Sequence, residues 1–315
     1  MLKHNISCIL GQTSLILAGG VGEENLPTKV ELISHHEFNC NITNLPKGMA
    51  QNPSMFQHGM DIIICGGLNN ERECFKLEKG TWTHFNQLIR RRRYAMTVSM
   101  QHGTIVFGGY DSPSTTEILK HNQSSWLLDE NMENSLLHVN TCGIQISQDE
   151  LVIIGGYDNL DYNHFQTKRI VKVNITSSEW LLSELSLSVG RYEHSCVYFD
   201  SKIIITGGFN EYNDVTSSTE IIDIDSNGSL MSPREDGNLN IERFDHGMGI
   251  VNLEQGPTVI AFDGIYYNGV YRQQLDSVEI WDAQTETWNI SSNLILSEPK
   301  SGFGYAMVPT ELICP

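Results

Sequence analysis

Short apolar runs that end in two glycines recur along the chain and organise its hydrophobic pattern. Five of them read as a buried strand closed by Gly-Gly, at 15–20, 62–67, 104–109, 151–156 and 203–208, and a degenerate sixth lies at 258–264. Successive first glycines are 47, 42, 47 and 52 residues apart. A period in this range, with strand-like segments, predicts a repeat architecture of the propeller type.

Each repeat also contains the same succession of strands and polar turns. In the third repeat, strand a covers 94–100, strand b covers 104–108, strand c covers about 115–121, and strand d is centred on Trp126. Short runs separated by Gly, Asn and Ser turns, without helical periodicity, indicate an antiparallel four-stranded sheet, which is one blade. The pattern predicts an all-β fold, a six-bladed β-propeller of four-stranded antiparallel blades.

The repeats fill the chain, so we expect a single domain over 1–315. The repeat bounds are approximately 1–46, 47–90, 91–134, 135–187, 188–240 and 241–296, and 297–315 is a closing or surplus strand. A propeller has to close because an open ring leaves sheet edges exposed. Two segments, 5–10 and 303–308, both fit the closing strand, and we expect six blades with one surplus segment.

The outer half of the repeats carries a family resemblance. A glycine doublet, a bulky apolar residue on strand c and a Trp seven positions later resemble the Kelch repeat. The c-strand residue and its Trp are Phe75/Trp82, Leu119/Trp126, Val173/Trp180 and Trp281/Trp288. The first and fifth repeats lack this Trp. The chain is therefore similar to the Kelch propeller of kelch-like adaptor proteins, but no BTB or BACK domain fits before the first strand, so we expect a propeller-only protein or a fragment of a longer one.

Strand order predicts which residues share a face. In an antiparallel a-b-c-d blade, the d–a and b–c connections emerge on one face, and here they are rich in Tyr, Phe and Arg, types enriched in binding hot spots. The resemblance to kelch-like adaptors implies that partner contacts come from Arg93, Tyr94, Tyr110, Tyr157, Tyr192, Phe209 and Phe244. The loops and strand openings of this face add Tyr162, Arg191, Tyr212 and Arg243.

The recurring arginines also have a structural interpretation. Arg92, Arg191 and Arg243 open strands, and a glutamate recurs two positions before the bulky c-strand residue, as Glu31, Glu73, Glu117, Glu220 and Glu279. Such an opposite-charge pair can tie blades together. The paired glycines are expected to let backbones pass closely at a strand end.

The predicted function is recognition without chemistry. A partner's peptide or loop is expected to lie on the d–a and b–c face, stacking on tyrosines and pairing acidic groups with arginines. Family resemblance implies two settings, substrate recognition for a ubiquitin ligase and binding to actin or another cytoskeletal protein. The alternative is a sugar-binding enzyme resembling Kelch-type sialic acid mutarotases, which would use arginines of this face on a carboxylate.

Catalytic motifs are not found in the sequence. Copper enzymes similar to galactose oxidase would need Tyr and His ligands, but the matching His194 and His246 recur with the repeat and are expected to be structural. We therefore predict no catalytic residue, no metal and no cofactor.

The charge and the cysteine content limit the classes of partner and the cellular compartment that we expect. Lysine and arginine total 20 against 38 aspartates and glutamates, a net charge of −18, which disfavours nucleic acid and anionic membranes as partners. The seven cysteines have no short paired spacing, so we expect small buried thiols in a reducing compartment. The predicted location is cytoplasmic, with the nucleus as the open alternative.

Overall fold

A computed structural model describes residues 13–22, 30–33, 42–46, 51–100, 103–132, 139–157 and 167–313. These residues form six antiparallel sheets arranged around one axis, together with a small two-stranded hairpin. The predicted all-β, six-bladed propeller is confirmed. Among the described residues, no helix is long and apolar enough to cross a bilayer.

Blades 2 to 5 each consist of four consecutive strands. Blade 2 contains β3 (Ser54–His58), β4 (Asp61–Cys65), β5 (Cys74–Glu78) and β6 (Thr81–Phe85). Blade 3 contains β7 (Met96–Met100), β8 (Gly103–Phe107), β9 (Thr116–Lys120) and β10 (Leu127–Leu128). Blade 4 contains β11 (Cys142–Gln145), β12 (Glu150–Ile154), β13 (Arg169–Asn174) and β14 (Glu179–Ser186). Blade 5 contains β15 (Ser195–Phe199), β16 (Lys202–Thr206), β17 (Thr219–Asp223) and β18 (Arg234–Asp236).

Blade 6 carries an inserted hairpin. Its sheet consists of β19 (Gly247–Leu253), β20 (Gly256–Phe262), β23 (Ser277–Asp282) and β24 (Thr287–Ile295). The hairpin, β21 (Ile265–Tyr267) and β22 (Arg272–Gln274), interrupts the b–c connection. The first strand of each blade lies nearest the axis, where neighbouring first strands contact one another.

Blade 1 joins the two ends of the described chain. Its strands are β1 (Thr13–Gly22), β2 (Glu31–Ile33) and β25 (Lys300–Pro309), which is followed by a short helix, α1 (Thr310–Ile313). Strand β25 pairs antiparallel with the whole length of β1 and takes the axial position. Segment 303–308 therefore closes the ring, and the competing segment 5–10 lies outside the described residues. Within those residues, blade 1 shows three strands.

The blades pack through apolar strands and through the tryptophans of the outer strands. The second strands are buried on both faces; Ile62, Ile63 and Ile64 of β4 are at most 1% exposed. Trp126 packs edge-on against Phe56 of the preceding blade, and the Trp288 indole donates to Thr219 Oγ1 of its preceding blade at 3.1 Å. The tryptophan that carries the Kelch resemblance therefore stabilises contacts between blades.

The glycine pairs lie where two backbone segments approach each other closely. Gly207 has a φ of +64°, and a Cβ on it would collide with the Arg243 carbonyl oxygen and lie 2.8 Å from the His246 ring. Only glycine has both the backbone freedom and the missing side chain that this position requires. The glycine pairs were expected to let backbones pass closely at a strand end, and Gly207 does so.

Four cysteines differ from the expectation of free thiols. Disulfides join Cys65 to Cys74 and Cys142 to Cys196, with Cα–Cα distances of 4.1 Å and 6.0 Å. The first pair consists of directly opposed residues on β4 and β5, and the second links the axial strands β11 and β15 of successive blades. The expectation was wrong for these residues because strand register and blade order, rather than short sequence spacing, bring them together. The other three cysteines lie outside the described residues.

Candidate functional site

The recurring arginines are buried inside the blades. Arg191 and Arg243 are 0% exposed, and each pairs with a buried glutamate at 2.8 Å, Glu220 and Glu279 respectively. Arg92 pairs in the same way with Glu117 at 2.9 Å. Each guanidinium also donates to backbone carbonyls at the end of the glycine-bearing strand. Arg191 and Arg243, expected to contact a partner, are therefore not available at the surface, nor to the carboxylate of a sugar.

The glutamates of these pairs anchor the loop that enters each blade. The Glu220 carboxylate accepts the backbone N–H groups of Ser188 and Val189, and the Glu279 carboxylate accepts those of Asn240 and Ile241. A carboxylate with a guanidinium and two N–H donors has its lone pairs satisfied, which offsets the desolvation cost of a buried charge. The structural interpretation of the charge pair is the one that the geometry supports.

Four predicted aromatic residues form one continuous row, which we call the aromatic ridge. The Tyr157 ring lies 5.3 Å from Tyr192, Tyr192 stacks on Phe209 at 5.0 Å, and Phe209 lies 4.4 Å from Phe244. The row spans blades 4, 5 and 6. Its Phe244 end is buried, since Phe244 is 7% exposed and packs with Val215 and Ile265, so the prediction that Phe244 contacts a partner was wrong. Backbone bridges connect Tyr192 to Phe209 and Phe244 to Ile265, so the strand ends themselves position the rings.

The remaining predicted residues surround the ridge or lie apart from it. The Arg93 guanidinium sits over the Tyr110 ring, 4.4 Å from its centroid, and Tyr110 is 41% exposed. Tyr212 is 77% exposed in the b–c loop of blade 5, and no ring contact joins it to the ridge among the described residues. Tyr162 lies outside the described residues.

A second feature of this face is a ring of six residues, one from each blade, which we call the axial ring. Five of them lie two residues before the axial strand and the sixth, Gly302, lies near the start of β25. All six have a left-handed backbone, with φ between 51° and 60°. Its members are Asn52, Tyr94, Asn140, Glu193, Asp245 and Gly302. Backbone bonds join neighbours, such as Asp245 N–H to the Glu193 carbonyl at 3.0 Å and Tyr94 N–H to the Asn52 carbonyl at 3.2 Å. The ring borders an axial cavity of about 460 Å³.

Burial shifts the acid–base properties of the ring. Desolvation, with the nearby Asp245 carboxylate, raises the pKa of Glu193 to about 8, and desolvation raises the pKa of Asp245 to about 6. Arg272 opposes both shifts. Desolvation and the same two carboxylates also raise the pKa of the Tyr94 phenol, whose side chain is hydrogen-bonded to Asn52. These three titratable groups therefore face one another at the cavity mouth.

Sequence reasoning named only Tyr94 of this ring as a site residue. The signal was present in the strand-opening triplets, because Glu193 and Asp245 each stand two residues after a buried arginine, as Tyr94 does. Asn52 and Asn140 have no such arginine before them, so only the fold reveals that they are equivalent.

The two histidines that recur after the ring residues pack against glycines. A Cβ on Gly155 would lie 2.7 Å from the His194 ring, and His246 Nε2 is hydrogen-bonded to Thr206 Oγ1 at 2.9 Å. Desolvation lowers the pKa of His194 to about 3, with a further contribution from Arg191. In the described part of the chain, no group of three or more His, Cys, Asp and Glu side chains could hold a metal ion.

Comparison with known proteins agrees with this geometry. The Kelch motif family model matches residues 190–227, which run from the opening of blade 5 through its first three strands. The chain is a six-bladed β-propeller with a Kelch motif in blade 5.

Similarity to solved structures supports the same fold for this Kelch propeller. The structure of YjhT superposes with a TM-score of 0.66 at 13% sequence identity, covering 80% of this chain and 86% of YjhT. At that identity, the likeness concerns the fold alone. The function of this Kelch propeller has to be argued from its own residues.

Proposed function

We propose that this Kelch propeller is a protein-interaction module that binds an extended peptide or loop across the aromatic ridge. The ridge carries the proposal. Tyr157, Tyr192 and Phe209 are half-buried rings in mutual contact, and the buried Phe244 ring supports Phe209 at 4.4 Å. Aromatic side chains offer large contact area at low entropic cost, which is why they dominate binding hot spots.

The surroundings of the ridge support an extended partner. At one end, Arg93 over Tyr110 presents a cation and an exposed ring. At the other end, Arg272 lies over Phe244, and the hairpin turn beyond it exposes Val270 and Tyr271. A segment laid along the ridge would meet polar and apolar contacts at both ends.

The proposal involves binding rather than catalysis. The partner belongs to the settings that family resemblance implies, either a substrate presented to a ubiquitin ligase or a cytoskeletal protein. The partner's identity, not the propeller's geometry, distinguishes these two settings.

The test is affinity capture of the tagged chain from a native extract, with partners identified by mass spectrometry. The Tyr192→Ala/Phe209→Ala double variant is run in parallel. Its matched control is Met60→Ala, which removes a 75% exposed apolar side chain from an a–b turn on the opposite face. We expect partners that are lost with the ridge variant and kept with the control. Equal capture by all three proteins would refute the proposal.

A further inference from the structure

The axial ring places two carboxylates side by side without a matching cation. Glu193 and Asp245 come from successive blades, and neither forms an ion pair within 4.0 Å among the described residues. Arg272 is the basic group that acts on both of them, and it is exposed and lies over Phe244. Burial raises the pKa of Glu193 to about 8 and that of Asp245 to about 6. Near neutral pH the pair therefore carries about one negative charge at the cavity mouth, mainly on Asp245.

Two other polar groups at this mouth offer acceptor atoms. Asn140 Nδ2 donates to Glu193 Oε1 at 3.1 Å, which leaves the Asn140 carboxamide oxygen buried without a donor in the described part of the chain. The His194 side chain, 8% exposed, lines the same cavity, and its neutral ring has one acceptor nitrogen. Unsatisfied buried acceptors are costly unless a ligand supplies the donor.

The complementary ligand is a compact cation with several donors. A primary ammonium has three N–H donors on one atom and a narrow aliphatic stem, whereas a guanidinium is a planar fork suited to one bidentate carboxylate. Here the acceptors come from three successive blades, as Asn140, Glu193 and Asp245. The three donors of an ammonium can be shared among such separate acceptors, whereas a planar fork suits one bidentate carboxylate.

Chain connectivity links this ring to the ridge. Tyr192 directly precedes Glu193, and Phe244 directly precedes Asp245. A lysine side chain whose ammonium enters the ring would therefore have aromatic rings beside its entry point. The net charge of −18 also favours the approach of a basic segment.

We propose that the axial ring receives the ammonium group of a lysine side chain carried by the segment that binds the aromatic ridge. The inference rests on the proposed function, because the ring and the ridge belong to the same face. It reverses the charge expected of the partner, since two of the three arginines predicted to meet acidic groups, Arg191 and Arg243, are buried in ion pairs.

The direct test uses a small probe and the full chain. N-acetyl-lysine methylamide is titrated at matched ionic strength, with binding followed by nuclear magnetic resonance. The comparison probe is the same compound acetylated on Nε, which keeps the stem and removes the charge. We expect the lysine probe to bind and the acetylated probe to bind about 30-fold more weakly or not at all.

Variants locate the binding. Asp245→Asn keeps the shape of the ring and removes the carboxylate that is largely ionised near neutral pH, so we expect it to weaken lysine-probe binding by about 30-fold. Glu193→Gln replaces a carboxyl group that is largely protonated at that pH, and we expect it to weaken binding less. The control is Asp214→Asn, which neutralises an exposed carboxylate in the b–c loop of blade 5 and should leave binding unchanged. Equal binding of the two probes, no binding of the lysine probe, or equal affinity in all three variants would overturn the proposal.

A peptide selection separates failure of this inference from failure of the proposed function. Displayed peptides are selected on the full chain and re-tested on Phe209→Ala. Ridge-dependent peptides that share a lysine support both proposals, and ridge-dependent peptides without a shared lysine leave the function standing while overturning the inference. If no ridge-dependent peptide emerges, the proposed function fails. The lysine-probe titration then still shows whether the axial ring binds an ammonium group.

Discussion

The rings of Tyr192 and Phe209 are stacked at 5.0 Å with planes inclined by 16°. Two backbone hydrogen bonds join the same residues, Tyr192 N–H to the Phe209 carbonyl at 3.2 Å and Phe209 N–H to the Tyr192 carbonyl at 2.9 Å. The backbone, rather than the ring contact, therefore fixes this part of the binding face. Side chains can be removed here while the strand ends stay paired.

The ridge variant should accordingly fold. Tyr192→Ala/Phe209→Ala removes two half-buried rings, and we expect a loss of about 1 to 2 kcal/mol in the free energy of unfolding. Urea unfolding followed by tryptophan fluorescence measures this loss. An unfolded or aggregated double variant would mean that the ridge holds the propeller together, and capture experiments with it would then carry no information about binding.

Removing a buried arginine should have a much larger effect. Arg191→Ala leaves Glu220 charged and buried, and we expect it to lower the free energy of unfolding by about 3 to 5 kcal/mol. The control is Lys172→Ala, which breaks a partly exposed pair with Glu150, 3.1 Å apart, and should cost less than about 1 kcal/mol. The two values are compared by urea unfolding, and similar losses would contradict a structural role for Arg191.

The glycine doublet allows a prediction with an internal control. Gly207 and Gly228 both have a positive φ, +64° and +80°, but only Gly207 lies against another backbone, whereas nothing lies within 4 Å of a Cβ placed on Gly228. Gly228→Ala should cost about 1 kcal/mol from backbone strain alone. Gly207→Ala should cost clearly more, because the Arg243 carbonyl has to move. Thermal unfolding of both variants checks the difference, and equal losses would show that strain dominates.

The axial ring makes stability depend on pH. Burial raises the pKa values of Asp245 to about 6 and of Glu193 to about 8, so the folded chain holds protons that the unfolded chain releases near pH 4. The stabilisation is present below about pH 4 and is lost as pH rises through these two values. The facing groups are Tyr94, Tyr192 and Arg272.

Asp245→Asn should remove part of that pH dependence. At pH 8, we expect the free energy of unfolding of the variant to exceed that of the unmodified chain by about 1 to 2 kcal/mol. At pH 4, we expect little or no difference between the two. Urea unfolding at the two pH values measures both differences. A variant that is less stable than the unmodified chain at pH 8 would mean that the carboxylate is already paired in the folded protein.

The disulfide between blades 4 and 5 gives a redox prediction. Cys142 and Cys196 are 54 residues apart, so their bond should contribute about 2 to 4 kcal/mol by restricting the unfolded chain. Cys196→Ala should lower the unfolding midpoint under oxidising conditions and have a much smaller effect after reduction with dithiothreitol. Peptide mapping under non-reducing conditions shows whether the bond forms, and a free thiol at Cys142 would contradict this assignment.

Much of the fold could be predicted because each blade repeats the same local rules. The same contacts recur from blade to blade, and they require an apolar strand, a glycine pair and an outer Trp in each repeat. The periodicity of the sequence therefore reveals these features. The sequence left two candidates for the ring-closing strand, 5–10 and 303–308, because both have the same pattern. Only the pairing of β25 with β1 shows that 303–308 takes this place.

The site was predicted less completely for a physical reason. Tyr192 and Phe209 could be identified because aromatic residues at strand ends are chemically distinctive. Arg191 looked equally distinctive, but its burial depends on the partner Glu220, which is 29 residues away. Glu193 and Asp245 are acidic residues of a kind that is common at protein surfaces, so neither stands out in the sequence. Only the closed ring brings them together.

The position of β25 also sets an order of events during synthesis. Its partner β1 is translated before every other described strand, yet it lacks its axial neighbour until the last strand leaves the ribosome. The intervening blades can form their local hairpins as they emerge, whereas the first one waits with an open edge for nearly the whole length of translation. Pairing over so long a separation slows folding, and an unpaired edge invites association with other chains. The propeller is therefore most vulnerable to aggregation just before β25 appears.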